Sequence, residues 1–211
     1  MLDKNTIITF DLDDTIFKEI DFLRSAYFYI ADYLDPCDKF LAGRMFSCYR
    51  KGENVFDYLV GNYKCSKDKL LSIYRNHQPS VSLTPDVEYV LKKLKSRGCK
   101  LGLITDGREI TQKNKIKALG IEQFFETILI SEVTGYTKSN LYNFELLQNK
   151  VKGEQYVYIG DNVNKDFYAP NQLGWNTICL LDDGRNIHLQ NFSQGKEYLP
   201  KSIIKSLKDI L

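Results

Sequence analysis

No stretch of these 211 residues stays apolar over the eighteen or so positions that a membrane span requires, and no basic segment with an apolar core precedes the first strand. Both absences predict a soluble, unprocessed chain of the cytoplasm, with no membrane partner. The five cysteines, Cys37, Cys48, Cys65, Cys99 and Cys179, are odd in number, scattered and without a Cys-x-x-Cys pair. That excludes a disulfide framework or a cysteine zinc site and fits reduced thiols. Charge of one sign is also lacking: Lys+Arg 29 against Asp+Glu 27 leaves a formal +2, too little to draw nucleic acid or an anionic membrane. A small ligand remains as the expected partner. There is no internal repeat and no low-complexity tract, and the two histidines, His77 and His188, lie outside every motif described below. What is present in quantity is hydrophobic residue, 43% of the chain, enough to bury a sizeable core.

Apolar runs of strand length recur at residues 6–10, 100–105, 127–130, 155–159 and 177–181, each bounded by Gly, Asp or Ser. Helical patterns separate them. Val87, Val90, Leu91 and Leu94 share a stripe closed by Gly98; a second helix runs from Ile110 to Leu119 and closes at Gly120. Two more are expected over 139–150, with Ser139 as cap, and over 165–173, and an amphipathic helix over 201–211. Strands alternating with helices of this length predict an α/β fold, a doubly wound parallel sheet with its ligand site outside the carboxyl ends of the strands.

Residues 17–83 break the alternation. They contain no convincing strand but several helical stripes, among them Ile20, Leu23, Tyr27, Ile30 and Leu34, then Cys37, Leu41, Met45 and Cys48. About four short helices are expected there, one capped by Ser66. Thr84-Pro85-Asp86 marks the return, threonine as cap and proline in the first turn. The chain therefore divides into a core of residues 1–16 and 84–211 and a small all-helical unit of residues 17–83.

The densest chemical signal is Asp11-Leu12-Asp13-Asp14-Thr15, directly after the run Ile7-Ile8-Thr9-Phe10. Carboxylates about 4 Å apart repel by about 4 kcal/mol at an effective dielectric of 20, so such a cluster calls for a divalent metal and a lysine. Three further signals fall at later strand ends: Thr105-Asp106-Gly107, Lys138, and Gly160-Asp161-Asn162 with Asp166. One acidic pair at a strand end reads as a turn or cap feature. The ordered set of four resembles the haloacid dehalogenase-like superfamily, with the helical insert where that superfamily often carries a cap over its active site.

The resemblance implies a phosphatase with Mg²⁺ as cofactor. Asp11 would be the nucleophile, forming an aspartyl-phosphate, and Asp13 the general acid/base. Thr105 would hydrogen-bond a phosphoryl oxygen and Lys138 would neutralise charge. Asp161 would join Asp11 and the backbone carbonyl of Asp13 around the metal, with Asp166 either a ligand or an orienter of Lys138; Asp106, Gly107 and Asn162 support these loops. Serine at position 139 stands where the family commonly has proline. A dehalogenase is disfavoured because that chemistry needs no proton donor at position 13, and the absence of membrane spans excludes an ion pump. A phosphomutase with the same core residues and a non-catalytic phosphate-binding module remain as alternatives. The substrate expected is a small phosphate ester such as a sugar phosphate or a nucleotide. Arg24 and Arg44, in the insert, are candidates to meet it.

Overall fold

The computed structural model describes residues 4–211. All five apolar runs form strands: β1 (Thr6–Phe10), β2 (Lys100–Thr105), β3 (Thr127–Ile130), β4 (Gln155–Gly160) and β5 (Asn176–Leu180). With a sixth strand, β6 (Ser202–Ile204), they make one sheet in which every pairing is parallel, in the order β3-β2-β1-β4-β5-β6. Residues alternate between the two faces of this buried sheet. Ile8, Phe10, Leu101, Leu103, Val157 and Ile159 pack on one face with Val90, Leu91 and Leu94 of α5 (Pro85–Ser96) and Ile116 and Leu119 of α6 (Glu109–Leu119). Ile7, Ile104 and Tyr158 face the other way, onto Phe144 and Leu147 of α8 (Tyr142–Lys150) and Ala169 of α9 (Tyr168–Gln172). A single turn, α7 (Ser131–Thr134), follows β3.

The last eleven residues correct the sequence reading. In place of a helix over 201–211, β6 pairs in parallel with β5, and Leu207–Ile210 make one 3₁₀ turn. Without β6, β5 would leave a row of unpaired N–H and C=O groups at the sheet edge, and satisfying that row outweighs a short terminal helix. Ser206 and Asp209 then close a reciprocal capping box that shapes the turn. Two helices also begin later than expected. Ser139 does not cap α8; Asn140 Oδ1 accepts the N–H of Tyr142 at 2.9 Å. The chain from 162 to 166 is held in turns that serve Asp166, so α9 starts only at Tyr168.

The insert forms α1 (Glu19–Leu34), α2 (Leu41–Arg50), α3 (Val55–Asn62) and α4 (Lys67–Asn76). Asn54 and Ser66 cap the third and fourth, and Thr84 caps α5. Leu23, Tyr27, Ile30, Leu41, Met45, Leu59 and Leu70 give these helices a hydrophobic cluster of their own. Their stripes were visible because each helix buries one apolar face.

His77, at the end of α4, is buried against Phe22, with Nδ1 donating to the carbonyl of Tyr74 at 2.8 Å. Burial lowers its pKa from 6.5. The unfolded chain therefore takes up a proton near pH 6.5 that the folded chain refuses, and this group's contribution to stability is lost as the pH falls through that value. His77→Phe cannot titrate. The melting temperature of the native protein relative to the variant should fall between pH 7.5 and 5, in paired thermal melts; parallel curves would contradict this.

Candidate active site

In this strand order the chain leaves β1 toward β2 on one side and returns through β4 on the other, so a crevice opens above the carboxyl ends of β1 and β4. The first and fourth sequence signals meet there. Asp11 follows β1 directly, its N–H donating to the carbonyl of Ile159 at 2.9 Å and so extending the ladder by one residue. Asp161 follows Gly160 at the end of β4. Between them stands Lys138, 4% exposed, with Nζ 2.9 Å from Asp11 Oδ1 and 2.7 Å from Asp166 Oδ1.

Each of these groups is held by its loop. Asp166 Oδ2 accepts the N–H groups of Asp161 and Asn162 at 3.1 and 2.9 Å. A Cβ on residue 160 would lie 2.4 Å from that oxygen, so glycine is required for the carboxylate to reach under the loop. Asp106 Oδ1 accepts the N–H of Lys138 at 3.0 Å and thereby fixes where the lysine leaves the chain. Gly107, with φ at 144°, donates its N–H to Ser131 Oγ at 2.9 Å. Thr105 ends β2, and its hydroxyl accepts from Gln112 Nε2 at 2.6 Å. Asp13 points from the same loop as Asp11 toward α6, where Lys115 Nζ lies 2.6 Å from Oδ1 and Gln112 Nε2 2.9 Å from Oδ2. Asp14 takes a left-handed φ of 57°, rare for a residue with a Cβ. Hydrogen bonds from the N–H groups of Glu19 and Ile187, both 2.9 Å, hold its carboxylate in place.

The electrostatics are those of too few cations. Burial pushes the Asp11 carboxyl well above the usual range, Lys138 opposes, and Asp166, Asp161 and Asp13 push it further up. Burial and then Asp166 raise Asp161 to about 8. For Lys138 burial favours the neutral amine, yet Asp11 and Asp166 outweigh it and hold the ammonium well above the ordinary lysine value. One ammonium thus serves three buried carboxylates. Asp11, Asp161 and Asp166 each offer an oxygen within 4.8 Å of the others. Oxygen-only, anionic donors fit a hard ion such as Mg²⁺.

A cavity of about 150 Å³ opens here, lined by Asp11, Asp13, Asp14, Glu19, Asp106, Lys138, Asp161, Asn162, Lys165 and His188. Arg24 and Arg44 are not among its lining residues. Arg24 pairs with Asp21 at 3.2 Å, and Arg44 binds Asp38 and Tyr58 on the outer side of α2. In both cases a carboxylate close in sequence holds the guanidinium.

Several residues at the site were not singled out by sequence. Lys115 and Gln112 had a signal: α6 carries few apolar residues, so Thr111, Gln112, Asn114 and Lys115 must turn inward, and they are buried. Asn186 and Gln190 had none. They come from the polar loop after β5, where Asn186 Nδ2 donates to Asp161 Oδ2 and Gln190 Nε2 to the Asp161 carbonyl, both at 2.8 Å.

A parallel sheet with acidic, hydroxyl and lysine groups gathered at its carboxyl edge defines a class, and the sequence matches the haloacid dehalogenase-like hydrolases over residues 8–180. The chain belongs to that family. It is 30% identical over 197 residues to a glyceraldehyde 3-phosphate phosphatase of Methanocaldococcus jannaschii, a match covering 82% of this chain and 84% of that protein. It is 27% identical over 229 residues to the pyrophosphatase PpaX of Bacillus velezensis, covering 100% of this chain and 97% of the relative. Among solved structures, the HAD-hydrolase YfnB of Bacillus subtilis bound to magnesium shares the fold with a TM-score of 0.68 at 18% identity, over 98% of this chain and 96% of that one. Family and relatives together make the chain a phosphatase. No helix among the described residues is long and apolar enough to cross a membrane.

Proposed function

We propose that this phosphatase hydrolyses a small phosphate monoester with Mg²⁺, by way of an aspartyl-phosphate on Asp11. The observation that carries the reading is Lys138, buried within 2.9 Å of Asp11 and 2.7 Å of Asp166. An ammonium there favours the anionic form of the nucleophile against the burial that opposes it, and faces the oxygens of an incoming phosphoryl group. Asp11 attacks phosphorus, forming an O–P bond as the ester oxygen departs with a proton from Asp13. Asp13 then takes a proton from water, whose oxygen attacks the same phosphorus and frees inorganic phosphate and Asp11. The Thr105 hydroxyl holds a phosphoryl oxygen through both steps. Asp166 acts through Lys138, since one oxygen meets the ammonium and the other meets two backbone N–H groups.

Mg²⁺ would be held by Asp11, Asp161 and the backbone carbonyl of Asp13, and would supply the positive charge that the buried carboxylates lack. Residues 17–83 serve as a cap over the core of residues 1–16 and 84–211. The 150 Å³ cavity favours a phosphoryl group on a small carrier over a phosphoprotein. The relatives named for glyceraldehyde 3-phosphate and pyrophosphate support the same size class.

The test is a panel of metabolites, including glyceraldehyde 3-phosphate, sugar phosphates, nucleoside monophosphates and pyrophosphate, assayed for phosphate release with and without Mg²⁺. Turnover should require the metal. Because Asp161 has to lose a proton, and its pKa without metal lies at about 8, the apparent Mg²⁺ affinity should rise as the pH climbs from 6.5 to 8.5. Turnover undiminished by chelation would overturn the metal reading. Binding of these compounds without release of phosphate would favour a binding module.

A further inference from the structure

We infer that Lys115 and Gln112 are positioning residues that fix the carboxylate of Asp13 and tie its placement to the helical insert. The inference rests on Asp13 being the acid/base of the proposed reaction. Lys115 is 2% exposed, an unusual place for a side chain that ordinarily extends its head to water. Its ammonium lies 2.6 Å from Asp13 Oδ1 and 3.6 Å from Glu19 Oε1, with the ring centroids of Phe22 at 4.4 Å and Phe17 at 5.7 Å. Glu19 and Phe22 belong to α1, the first helix of the insert. A buried cation with two carboxylate partners and an aromatic face is a built arrangement, since taking away the ammonium would leave two carboxylates facing each other without a counter-charge.

Gln112 lies one turn earlier on the same face of α6. Its amide nitrogen donates to Asp13 Oδ2 at 2.9 Å and to Thr105 Oγ1 at 2.6 Å, so the carboxylate and the phosphoryl-binding hydroxyl are spaced by one planar group. With both oxygens of Asp13 engaged by α6, the carboxylate cannot swing without breaking its bonds to that helix. The same helix is bonded to the end of α4: Thr111 Oγ1 donates to the Arg75 carbonyl at 3.1 Å, and Asn114 Nδ2 to the His77 carbonyl at 3.2 Å. Core and insert therefore both bear on where Asp13 sits.

The readout is dependence on the leaving group. kcat/KM reports only the steps up to phosphorylation of Asp11; p-nitrophenolate departs without a proton, whereas an alkoxide needs one from a well-placed Asp13. The ratio of kcat/KM for the fastest alkyl phosphate of the panel to that for p-nitrophenyl phosphate isolates this role. Asp13→Asn sets the scale. Lys115→Met and Gln112→Met should each lower the ratio in the same direction by about tenfold or more, with Lys115→Arg recovering part of it. Should Lys115→Met fail to fold, Gln112→Met still decides. An unchanged or increased ratio in the folded variants, with the Asp13→Asn ratio reduced, overturns the positioning role alone. An unchanged ratio in Asp13→Asn overturns the assignment of Asp13 and the inference with it.

Discussion

Asp11→Asn is expected to lower turnover by about 10⁴-fold or more while leaving the fold intact, because an amide oxygen does not displace an alkoxide from phosphorus. The carboxylates closest to Asp11 in the described site are already held by other partners. Asp166 is committed to Lys138 and two backbone N–H groups, Asp13 to Lys115 and Gln112, and Asp14 to the N–H groups of Glu19 and Ile187. Asp161 is bonded by Asn186 and lies at the end of a different strand. Stability should hold or rise, since burial already pushes the Asp11 carboxyl up and Lys138 keeps Asp166 as a partner. Steady-state kinetics and thermal melts on one preparation check both halves, and acid-quenched single turnovers check that labelled phosphate no longer stays with the protein. A variant within tenfold of the native rate would remove Asp11 as nucleophile and the covalent intermediate with it.

That prediction draws on the part of the molecule most legible in sequence. The strands were readable because a parallel sheet covered on both faces needs uninterrupted apolar runs, and Thr6–Phe10 and Lys100–Thr105 are bounded by polar and glycine residues on either side. The acidic loops were readable because groups this costly to crowd cluster only where something offsets them. What escaped was set by contacts remote in sequence. Ser202–Ile204 has no pattern that demands a strand; the open edge of β5 makes it one. Lys115 lies 102 positions from Asp13, and Asn186 is 25 from Asp161. Neither distance leaves a local trace, although the polar inner face of α6 showed that something charged had to be met there. Arg24 and Arg44 illustrate the converse, since Asp21 and Asp38 were close enough in sequence to have suggested local pairing.

The same shortage of cations makes Lys138→Met the most damaging single change expected in the core. Its removal leaves Asp11 and Asp166 facing each other, buried, with no counter-charge, and breaking such a pair on one side costs about 3–5 kcal/mol. The loss has a sign in pH. Without the ammonium, Asp11 and Asp161 hold their protons to still higher pH in the folded state, while the unfolded chain releases them near 3.8. Between those values the folded state carries more protons, so stability drains away as the pH rises. Urea melts should find the deficit small at pH 5 and large at pH 8. Asp166→Asn added to Lys138→Met should recover part of it, because the amide keeps a hydrogen-bonding partner for the Asp161 and Asn162 N–H groups without their neighbour's charge. Turnover should stay lost in the double variant by about 10³-fold, as the phosphoryl oxygens no longer meet an ammonium. This separation is the informative part: stability returns with the balance of charge, and activity does not. A single variant as stable at pH 8 as at pH 5 would mean that the carboxylates find their compensation elsewhere, and that Lys138 is not the group around which the site is arranged.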